Sequence, residues 1–375
     1  MMRVLLTCGG TAGHINPALA IAETVKRNDP SAEIAFVGVR GGKEAELVPR
    51  EGYPLCFVRS RGFRRSLSPT DIPANLQAAY LALTSPYLKE TTDILKSFRP
   101  DVVIGTGGYA CWPIMAAAAR MKIPCALHES NALPGLAVRR LQRKVDRIWI
   151  NFSHTADLLN RKEGVVRLGN PLREGFGSIS REEARRRLGI SSKQRMLLSF
   201  GGSLGAEKVN EAVIALMKEL SPDHPELLHV HATGKRDHVT FMECFKRVGL
   251  DGSPNCIPKE YIYDMPLQMA AADLIISRAG AMTLSELALM KKPSILIPSP
   301  HVTDNHQYEN AKVLSDAGAA TLVQEKDLNG GALSHAVKEL LFSQNALDAM
   351  SERVSQFADA KANEKIWKEI LELIG

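Results

Sequence analysis

Cys8-Gly9-Gly10-Thr11-Ala12-Gly13-His14-Ile15-Asn16-Pro17 lies between two patterns of different period. Val4-Leu5-Leu6-Thr7 before it is an apolar run as long as a buried strand. The apolar residues after it share one helix face: Ala18, Leu19, Ile21, Ala22 and Val25. The stretch therefore predicts a strand, a glycine loop and the start of a helix. Glycines let the backbone approach a ligand closely, and the N–H groups at a helix start favour an anionic partner.

The loop and its histidine each allow a second interpretation. Many α/β proteins carry a glycine loop for tight packing alone. His14 suits a general base that takes a proton from a substrate hydroxyl, but it equally suits a polar surface or capping residue.

The composition is that of a globular protein with more than one domain. The 375 residues are 45% hydrophobic, which excludes a disordered chain, and this length predicts two domains. The formal charge of +6 is too small to predict a nucleic-acid partner, but it is compatible with an anionic substrate or a membrane surface. The six cysteines form no C-x-x-C pair, so they predict neither a zinc site nor a disulfide framework. No apolar run reaches the ~18–20 residues of a membrane span, so we expect any membrane contact to be peripheral.

Short apolar runs alternate with helical patterns through the first half of the chain. After the glycine loop they occupy residues 34–38, 55–58, 101–104, 124–128 and 147–150. Such runs predict a parallel sheet covered on both faces, in which ligands gather at the carboxyl ends of the strands. Gly105-Thr106-Gly107-Gly108-Tyr109 and His128-Glu129-Ser130-Asn131 both follow strands, so we expect them in the same crevice as His14.

A basic segment interrupts this alternation. Arg59-Ser60-Arg61-Gly62-Phe63-Arg64-Arg65 precedes a helical pattern with apolar positions at Leu76, Tyr80, Leu81, Tyr87 and Leu88. Arginines beside Phe63 and an apolar helix predict a surface that lies against anionic lipid, where each basic residue contributes roughly 1 kcal/mol. The alternative is a solvated basic loop in front of a core helix.

The second half of the chain repeats the first. Met196-Leu197-Leu198-Ser199-Phe200 is followed by Gly201-Gly202-Ser203-Leu204-Gly205-Ala206, again a glycine loop after a strand. Further on, the apolar run 273–277 leads through Arg278-Ala279-Gly280 into a helix start. N–H groups and hydroxyls at that start predict a diphosphate site, and Glu286 one turn later would accept hydrogen bonds from two ribose hydroxyls. The alternative for Glu286 is a capping or surface glutamate.

These motifs, together with Gly169-Asn170-Pro171-Leu172-Arg173 and His306-Gln307, resemble the MurG family of bacterial transferases, in order from about residue 3 to residue 325. The resemblance implies an α/β fold of two Rossmann-like domains facing a deep cleft, the glycosyltransferase fold of the B type. We expect an N-terminal acceptor and membrane-facing domain over residues 1–165 and a C-terminal UDP-sugar-binding domain over residues 166–359. We expect a C-terminal helix at about 360–375 to pack back on the first domain.

The resemblance also implies an activity. It implies an inverting hexosyltransferase that moves N-acetylglucosamine from UDP-N-acetylglucosamine to the 4-hydroxyl of the muramyl residue of undecaprenyl-pyrophosphoryl-N-acetylmuramyl-pentapeptide. This step converts lipid I to lipid II in peptidoglycan biosynthesis. We expect metal-independent chemistry with no cofactor, because the nucleotide sugar is a substrate. The implied partners are UDP-N-acetylglucosamine, lipid I and the anionic cytoplasmic face of the bacterial cell membrane, while other cell-wall synthesis proteins stay open and nucleic acid is excluded.

The family's site residues carry over motif by motif. His14 is the candidate general base and Glu129 the second choice, with holding its own loop as the alternative role of Glu129. The donor would contact Thr11, Ala12, Gly13, Asn131, Arg173, Ser203, Ile262, Ala281, Met282, Thr283, Leu284, Ser285, Glu286 and Gln307. The membrane and acceptor surface would contain Arg61, Phe63, Arg64, Arg65 and Tyr109, and no metal ligand is implied. Ala12 stands where the family usually has glycine, and His306 where some members have glutamine, so we expect a shifted fit and not lost activity.

Two other functions fit parts of the same pattern. A UDP-N-acetylglucosamine 2-epimerase would use this fold without a lipid acceptor, and hence without a basic apolar surface. A non-catalytic nucleotide-sugar-binding protein would keep the donor motifs but tolerate loss of His14. A dehydrogenase is disfavoured, because no clear ribose-binding acid ends the second strand at Val37.

Overall fold

The computed structural model describes residues 1–62, 72–84, 88–202 and 204–375, without the side chains of Ala74, Ala82, Leu83 and Thr303. The chain divides into two compact units, Met1–Arg173 with Asp359–Gly375 and Glu174–Ala358. Each unit contains its own parallel β-sheet. The predicted class of two Rossmann-like α/β domains is therefore confirmed.

The sheet of the first unit has seven strands within the described ranges. They are β1 Arg3–Thr7, β2 Glu33–Gly38, β3 Leu55–Phe57, β4 Val102–Gly105, β5 Cys125–Glu129, β6 Arg147–Ile150 and β7 Val165–Arg167. Their order in the sheet is β3-β2-β1-β4-β5-β6-β7. Alternate residues of these strands enter two separate cores, for example Leu6 one and Leu5 the other. Both faces are therefore covered, which explains why the strands are continuous apolar runs.

Helices cover the faces of this sheet. They are α1 Ala12–Asn28, α2 Glu44–Arg50, α3 Ile72–Thr84, α4 Lys89–Phe98, α5 Cys111–Arg120 and α6 Leu136–Leu141, with a 3-10 turn at Ser153–Leu158. α1 starts at Ala12, so the first glycine loop is short and His14 already lies in the first turn of the helix. α3 contains Leu76, Tyr80 and Leu81 of the apolar pattern in the sequence, whereas Tyr87 lies outside the described residues.

The second unit repeats this architecture. Its strands are β8 Arg195–Phe200, β9 Leu227–Ala232, β10 Cys256–Lys259, β11 Leu274–Ser277, β12 Ser294–Leu296 and β13 Thr321–Leu322, in the order β10-β9-β8-β11-β12-β13. Its helices are α7 Arg181–Leu188, α8 Glu207–Leu220, α9 His238–Arg247, α10 Met265–Ala271, α11 Ala281–Leu289, α12 His306–Asp316, α13 Ala332–Leu341 and α14 Gln344–Ser355. 3-10 turns lie at Thr303–Asn305 and Glu325–Gly330.

The last helix, α15 Ala362–Ile374, returns to the first unit. Its Ile366 and Ile370 are fully buried in the core beneath α1 and β1. The indole Nε1 of Trp149 donates to Glu369 Oε2 over 3.2 Å. The amphipathic face of α15 thus completes a core that the first domain's own helices leave uncovered.

The division between the units differs from the predicted boundary after residue 165. Ile150 of β6 is paired with Arg167 of β7, so the residues just after 165 belong to the first sheet. The division falls after Arg173 instead. A three-residue strand carries almost no period of its own, and its sheet is decided by its pairing partner, which lies outside the local sequence.

None of the helices in the described ranges has both the length and the apolar composition needed to cross a bilayer.

Candidate functional site

Each sheet has one point at which its strand order reverses. That point lies between β1 and β4 in the first unit and between β8 and β11 in the second. Loops that leave two neighbouring strands in opposite directions open a crevice at such a point, and ligands of open α/β sheets bind there. The small-residue loops singled out in the sequence follow these strands, at residues 8–11, 106–110, 201–206 and 278–280.

The two loops of the first unit are in direct backbone contact. A Cβ atom on Gly108 would overlap the carbonyl group of Gly9, and the φ angle of Gly108 is 85°, so this position requires glycine. Thr106 Oγ1 donates to the carbonyl oxygen of His14 over 2.6 Å. This hydrogen bond ties the first turn of α1 to the second loop.

His14 is half-buried between these loops. Its Nδ1 lies 3.1 Å from the carbonyl oxygen of Gly9 and 3.3 Å from Thr11 Oγ1. Because a carbonyl oxygen can only accept, the shorter contact is a hydrogen bond when Nδ1 carries the proton. The neutral ring then has its basic lone pair on Nε2. The edge of the ring that contains Nε2 and Cδ2 lies beside Gly107. In this tautomer Nε2 is the basic atom of His14.

The start of α1 presents backbone to the same crevice. Thr11 is the N-cap residue and makes no side-chain capping hydrogen bond. Thr11 and Gly13 are exposed, and Ala12 is half-buried. The three residues predicted to approach the donor thus lie at an open helix N-terminus, which suits a polar or anionic ligand.

Glu44 is a buried residue of this site that the sequence interpretation missed. It begins α2 and is 0% exposed. Its Oε2 accepts from the N–H of Gly10 over 3.1 Å, and its Oε1 accepts from the N–H of Val39 over 3.0 Å. Cβ atoms on Gly9, Gly38 or Gly42 would collide with it. In the sequence, only the glycines near Glu44 could have indicated a buried carboxylate. An acidic residue in the first turn of a helix is usually explained by its favourable interaction with the helix dipole.

Tyr109 was predicted on the membrane and acceptor surface, and the structure places its ring against the glycine loop. A Cβ on Gly10 would lie 2.9 Å from Tyr109 Cε1, and one on Gly62 would lie 3.2 Å from Cδ1. Ser60 Oγ donates to the Tyr109 carbonyl oxygen over 2.6 Å. Tyr109 therefore connects the basic segment to the first glycine loop.

Glu129 closes the loop that follows β5. Its Oε1 accepts from the backbone N–H and the side-chain amide of Asn131, and its Oε2 accepts from Gly135 N–H over 2.7 Å. Burial raises the pKa of Glu129, and these hydrogen bonds oppose the shift. The geometry supports the alternative in which Glu129 holds its loop. Glu129 also orients the side chain of Asn131.

Arg173 is engaged with carboxylates of the first unit. It donates from both terminal nitrogens to the two oxygens of Glu51, over 3.0 Å and 2.9 Å, and its Nε lies 3.8 Å from Glu23 Oε2. The guanidinium is therefore held by carboxylates of its own unit. Neither Glu23 nor Glu51 belongs to a motif, so these pairs could not be predicted locally.

An apolar face of α3 is exposed beside the basic segment. Ile72, Leu76 and Tyr80 are four residues apart and 56%, 66% and 65% exposed. Exposed Arg61 donates to Gln77 of the same helix. The predicted surface residues Phe63, Arg64 and Arg65 lie outside the described residues.

The second unit presents the N-terminus of α11. Gly280 is its N-cap residue and has no side chain that could cap the helix. Ala281, Met282 and Leu284 are buried in the interior, so of these predicted donor residues only the backbone is available to a ligand. Thr283 is half-buried at the helix start, and Ser285 Oγ donates back to the carbonyl oxygen of Ala281 over 3.2 Å.

Glu286 is half-buried one turn into α11. Burial alone raises the pKa of its carboxyl group to about 7. No hydrogen-bond donor or cation within the described part of the chain offsets this shift. A carboxylate in such surroundings is suited to hydroxyl donors supplied by a ligand.

Of the remaining predicted donor residues, Ile262 precedes α10 and Gln307 lies in the first turn of α12. Ser203 lies outside the described residues. The Ile262 side chain is buried, which leaves its backbone for recognition, and Gln307 Oε1 accepts from the N–H of Ser299 over 2.9 Å. Gly205, in the second glycine loop, packs tightly, because a Cβ on it would overlap the carbonyl oxygen of Thr233.

A buried polar network supports this loop and was also missed. His231 Nε2 donates to Asn210 Oδ1 over 3.0 Å, and Asn210 Nδ2 donates to the Thr233 carbonyl over 3.0 Å. Burial lowers the pKa of His231 to about 3, so the ring stays neutral. In the local sequence, this network is indicated only by His229 and His231, which are two residues apart and lie on the same face of β9.

Known proteins resemble both halves of the chain. Residues 4–150 match the Glycosyltransferase family 28 N-terminal domain, and residues 196–366 match the Glycosyltransferase family 28 C-terminal domain. A UDP-N-acetylglucosamine--N-acetylmuramyl-(pentapeptide) pyrophosphoryl-undecaprenol N-acetylglucosamine transferase of Acetivibrio thermocellus is 42% identical over 373 residues, which cover 100% of this chain and 98% of that protein. The protein of the same name from Caldanaerobacter subterraneus is 41% identical and covers 98% of each chain.

Solved structures agree with this assignment. MurG of Acinetobacter baumannii superimposes with a TM-score of 0.78 at 26% identity, over 99% of this chain and 100% of that one. The UDP-GlcNAc 2-epimerase of Neisseria meningitidis has a TM-score of 0.66 at 15% identity, over 99% and 100% of the two chains, which is a likeness of fold alone. The resemblance carried by the sequence motifs is thereby confirmed: the chain belongs to glycosyltransferase family 28, within the MurG family.

Proposed function

We propose that this protein transfers N-acetylglucosamine from UDP-N-acetylglucosamine to the 4-hydroxyl of the muramyl residue of lipid I, which yields lipid II. Full-length relatives with about 40% identity carry the name of this reaction. The structural observation that carries the proposal is one suitable group at each switch point. His14 has its basic Nε2 at the first, and at the second Glu286 is a carboxylate to which no side chain or N–H group of the described residues donates.

The first unit supplies the base. The acceptor hydroxyl attacks the anomeric carbon on the face opposite the UDP, so a new carbon–oxygen bond forms as the bond to the diphosphate breaks. The hydroxyl proton passes to His14 Nε2, and UDP leaves with the electron pair. A positioned base contributes about 10²–10⁴-fold to such a reaction.

The second unit holds the donor. The N–H groups at the start of α11, together with Thr283, receive the diphosphate, and Glu286 accepts from the ribose hydroxyls. Positive helix ends thus stabilise the leaving group without a resident metal or cofactor in this proposal. Arg173 would add a cation if it left Glu51, and exposed pairs of this kind contribute only about 0–1 kcal/mol, so the diphosphate can compete for it.

The experiment that tests the function follows radiolabel from UDP-N-acetylglucosamine in the presence and absence of a lipid I analogue. We expect labelled lipid II and released UDP only when the analogue is present. Conversion of the nucleotide sugar without the analogue would indicate an epimerase instead. Donor binding without turnover in either reaction would indicate a non-catalytic binding protein.

We also propose that the protein binds peripherally to the cytoplasmic face of the membrane through α3. Three large apolar side chains on one face, beside exposed Arg61, support this location. The sequence adds Arg64 and Arg65. Apolar burial and attraction to anionic lipid together give reversible attachment.

The membrane surface has a direct test. Replacing Ile72, Leu76 and Tyr80 together with serine is expected to lower cosedimentation with anionic vesicles by at least tenfold, because even one such side chain contributes about 1.5–3 kcal/mol when it is fully buried. UDP binding should be unchanged. Val239→Ser, which removes an exposed apolar side chain from the second unit, is the matched control. Undiminished sedimentation of the triple variant would show that the surface lies elsewhere.

A further inference from the structure

We propose that Glu44 is a positioning residue for His14, and that it acts through the single peptide group between Gly9 and Gly10. Glu44 Oε2 accepts from the N–H of Gly10, and His14 Nδ1 donates to the carbonyl oxygen of Gly9. These two groups belong to the same peptide unit. The inference deepens the proposed function, because it rests on His14 as the base.

The geometry of the peptide makes this connection specific. In a trans peptide the N–H and C=O point in opposite directions, so the carboxylate and the imidazole lie on opposite sides of one rigid plane. The glycines at 9, 38 and 42 leave room for the Glu44 side chain and for nothing larger. A second hydrogen bond, from Val39 N–H to Oε1, holds the other oxygen. Both carboxylate oxygens are thus committed to backbone donors.

The electrostatic effect follows from these contacts. A carboxylate that accepts from an amide N–H polarises that amide, and linked hydrogen bonds strengthen one another by about 10–30%. The Gly9 oxygen becomes a better acceptor for Nδ1–H. That favours the tautomer with the lone pair on Nε2 and stabilises the positive ring after it takes the substrate proton. No proton crosses the amide, which transmits only polarisation and orientation.

The ionisable groups beside Glu44 are a thiol and a phenol whose pKa values are raised. Burial is the main cause of the raised pKa of the Cys8 thiol, with Cys111 and Glu44 adding to it. Burial likewise raises the pKa of Tyr109, and the charge of Glu44 raises it further. These neighbours stay neutral around neutral pH, so neither of them adds a negative charge beneath the loop.

The test uses Glu44→Gln in the full chain. The glutamine keeps the size of the side chain. Its NH₂ group can only donate, so one of the two backbone N–H groups, that of Gly10 or that of Val39, loses its acceptor. We expect kcat to fall about 10–100-fold, the range for losing a partner that orients a functional histidine, with the KM for UDP-N-acetylglucosamine nearly unchanged. Asp146→Asn is the matched control, because Asp146 Oδ2 accepts the Cys125 N–H at the amino end of the same sheet.

A spectroscopic measurement separates positioning from general loosening of the fold and needs no substrate. In ¹⁵N-histidine spectra, assigned with His14→Ala, the neutral His14 ring of the parent should be protonated at Nδ1. In Glu44→Gln the Nε2-protonated form should appear. A parent ring protonated at Nε2 overturns the proposal even if the variant does not fold, as does a Glu44→Gln protein with the parent's tautomer and kcat. If both proteins show the expected tautomers but the parent transfers no sugar to lipid I, the proposed function is rejected and the positioning of His14 by Glu44 is not.

Discussion

Replacing His14 with alanine is expected to lower kcat for transfer to a lipid I analogue by about 10²–10⁴-fold, the usual contribution of a positioned general base. Nε2 is the atom that the hydrogen bond from Nδ1 to Gly9 leaves basic. The donor's diphosphate and ribose are assigned to the second unit, so UDP affinity should stay near that of the parent. Steady-state kinetics at saturating substrates, with UDP calorimetry, measures both quantities.

The control for this variant is His154→Ala, which removes an exposed histidine from the first unit and should leave kcat unchanged. Loss of donor affinity without a kcat effect would make His14 a binding residue. Full turnover by His14→Ala would remove it from the mechanism. Glu129 would then be the next residue to replace, although its hydrogen bonds already serve its own loop.

Replacing Glu286 with alanine is expected to weaken UDP binding by about 1.5–3 kcal/mol, the range for hydrogen bonds to a charged group. The carboxylate is half-buried and has no donor among the residues that the structure describes, and ribose hydroxyls would supply hydrogen bonds to it. Calorimetric titration with UDP measures the change. Glu243→Gln, on an exposed position of α9, is the control and should bind as the parent does.

The same carboxylate predicts a pH dependence of donor binding. Burial raises the pKa of Glu286 to about 7 in the unliganded protein. Hydroxyl donors favour the ionised form of Glu286, so the affinity for the donor is highest well above pH 7. It should fall by up to about tenfold for each pH unit below 7. Glu286→Gln should bind more weakly at high pH and lack this dependence. Equal slopes for UDP-N-acetylglucosamine binding by parent and variant between pH 5 and pH 8 would contradict the ribose assignment.

Local sequence predicted the elements that depend on short-range patterns. Val4 to Thr7, the glycine loop and α1 follow from a change of hydrophobic period at one place, and the same change recurs at β8 and at β11. Two units followed from that repetition. The family motifs lie at strand ends because only there do short loops reach the switch points.

The motif residues were less predictable as individuals. Of residues 281–286, Ala281, Met282 and Leu284 turned inward, since three of every seven positions on such a helix face the core. Arg173 was assigned to the diphosphate by its motif, and in the structure it is paired with Glu51 and Glu23. Long side chains choose partners by distance in space, which the motif does not contain.

The sequence by itself thus determined the two parallel-sheet domains, the family, and the position of His14 directly after the glycine loop that follows β1. The expected return of α15 to the first unit is also confirmed. Only the tertiary structure decided that Glu44 lies beneath that loop and that Tyr109 packs on Gly10. Period and turn chemistry are encoded over a few neighbouring residues. A buried hydrogen bond between Glu44 and Gly10 joins segments brought together only by the pairing of β1 with β2, so no local pattern could specify it.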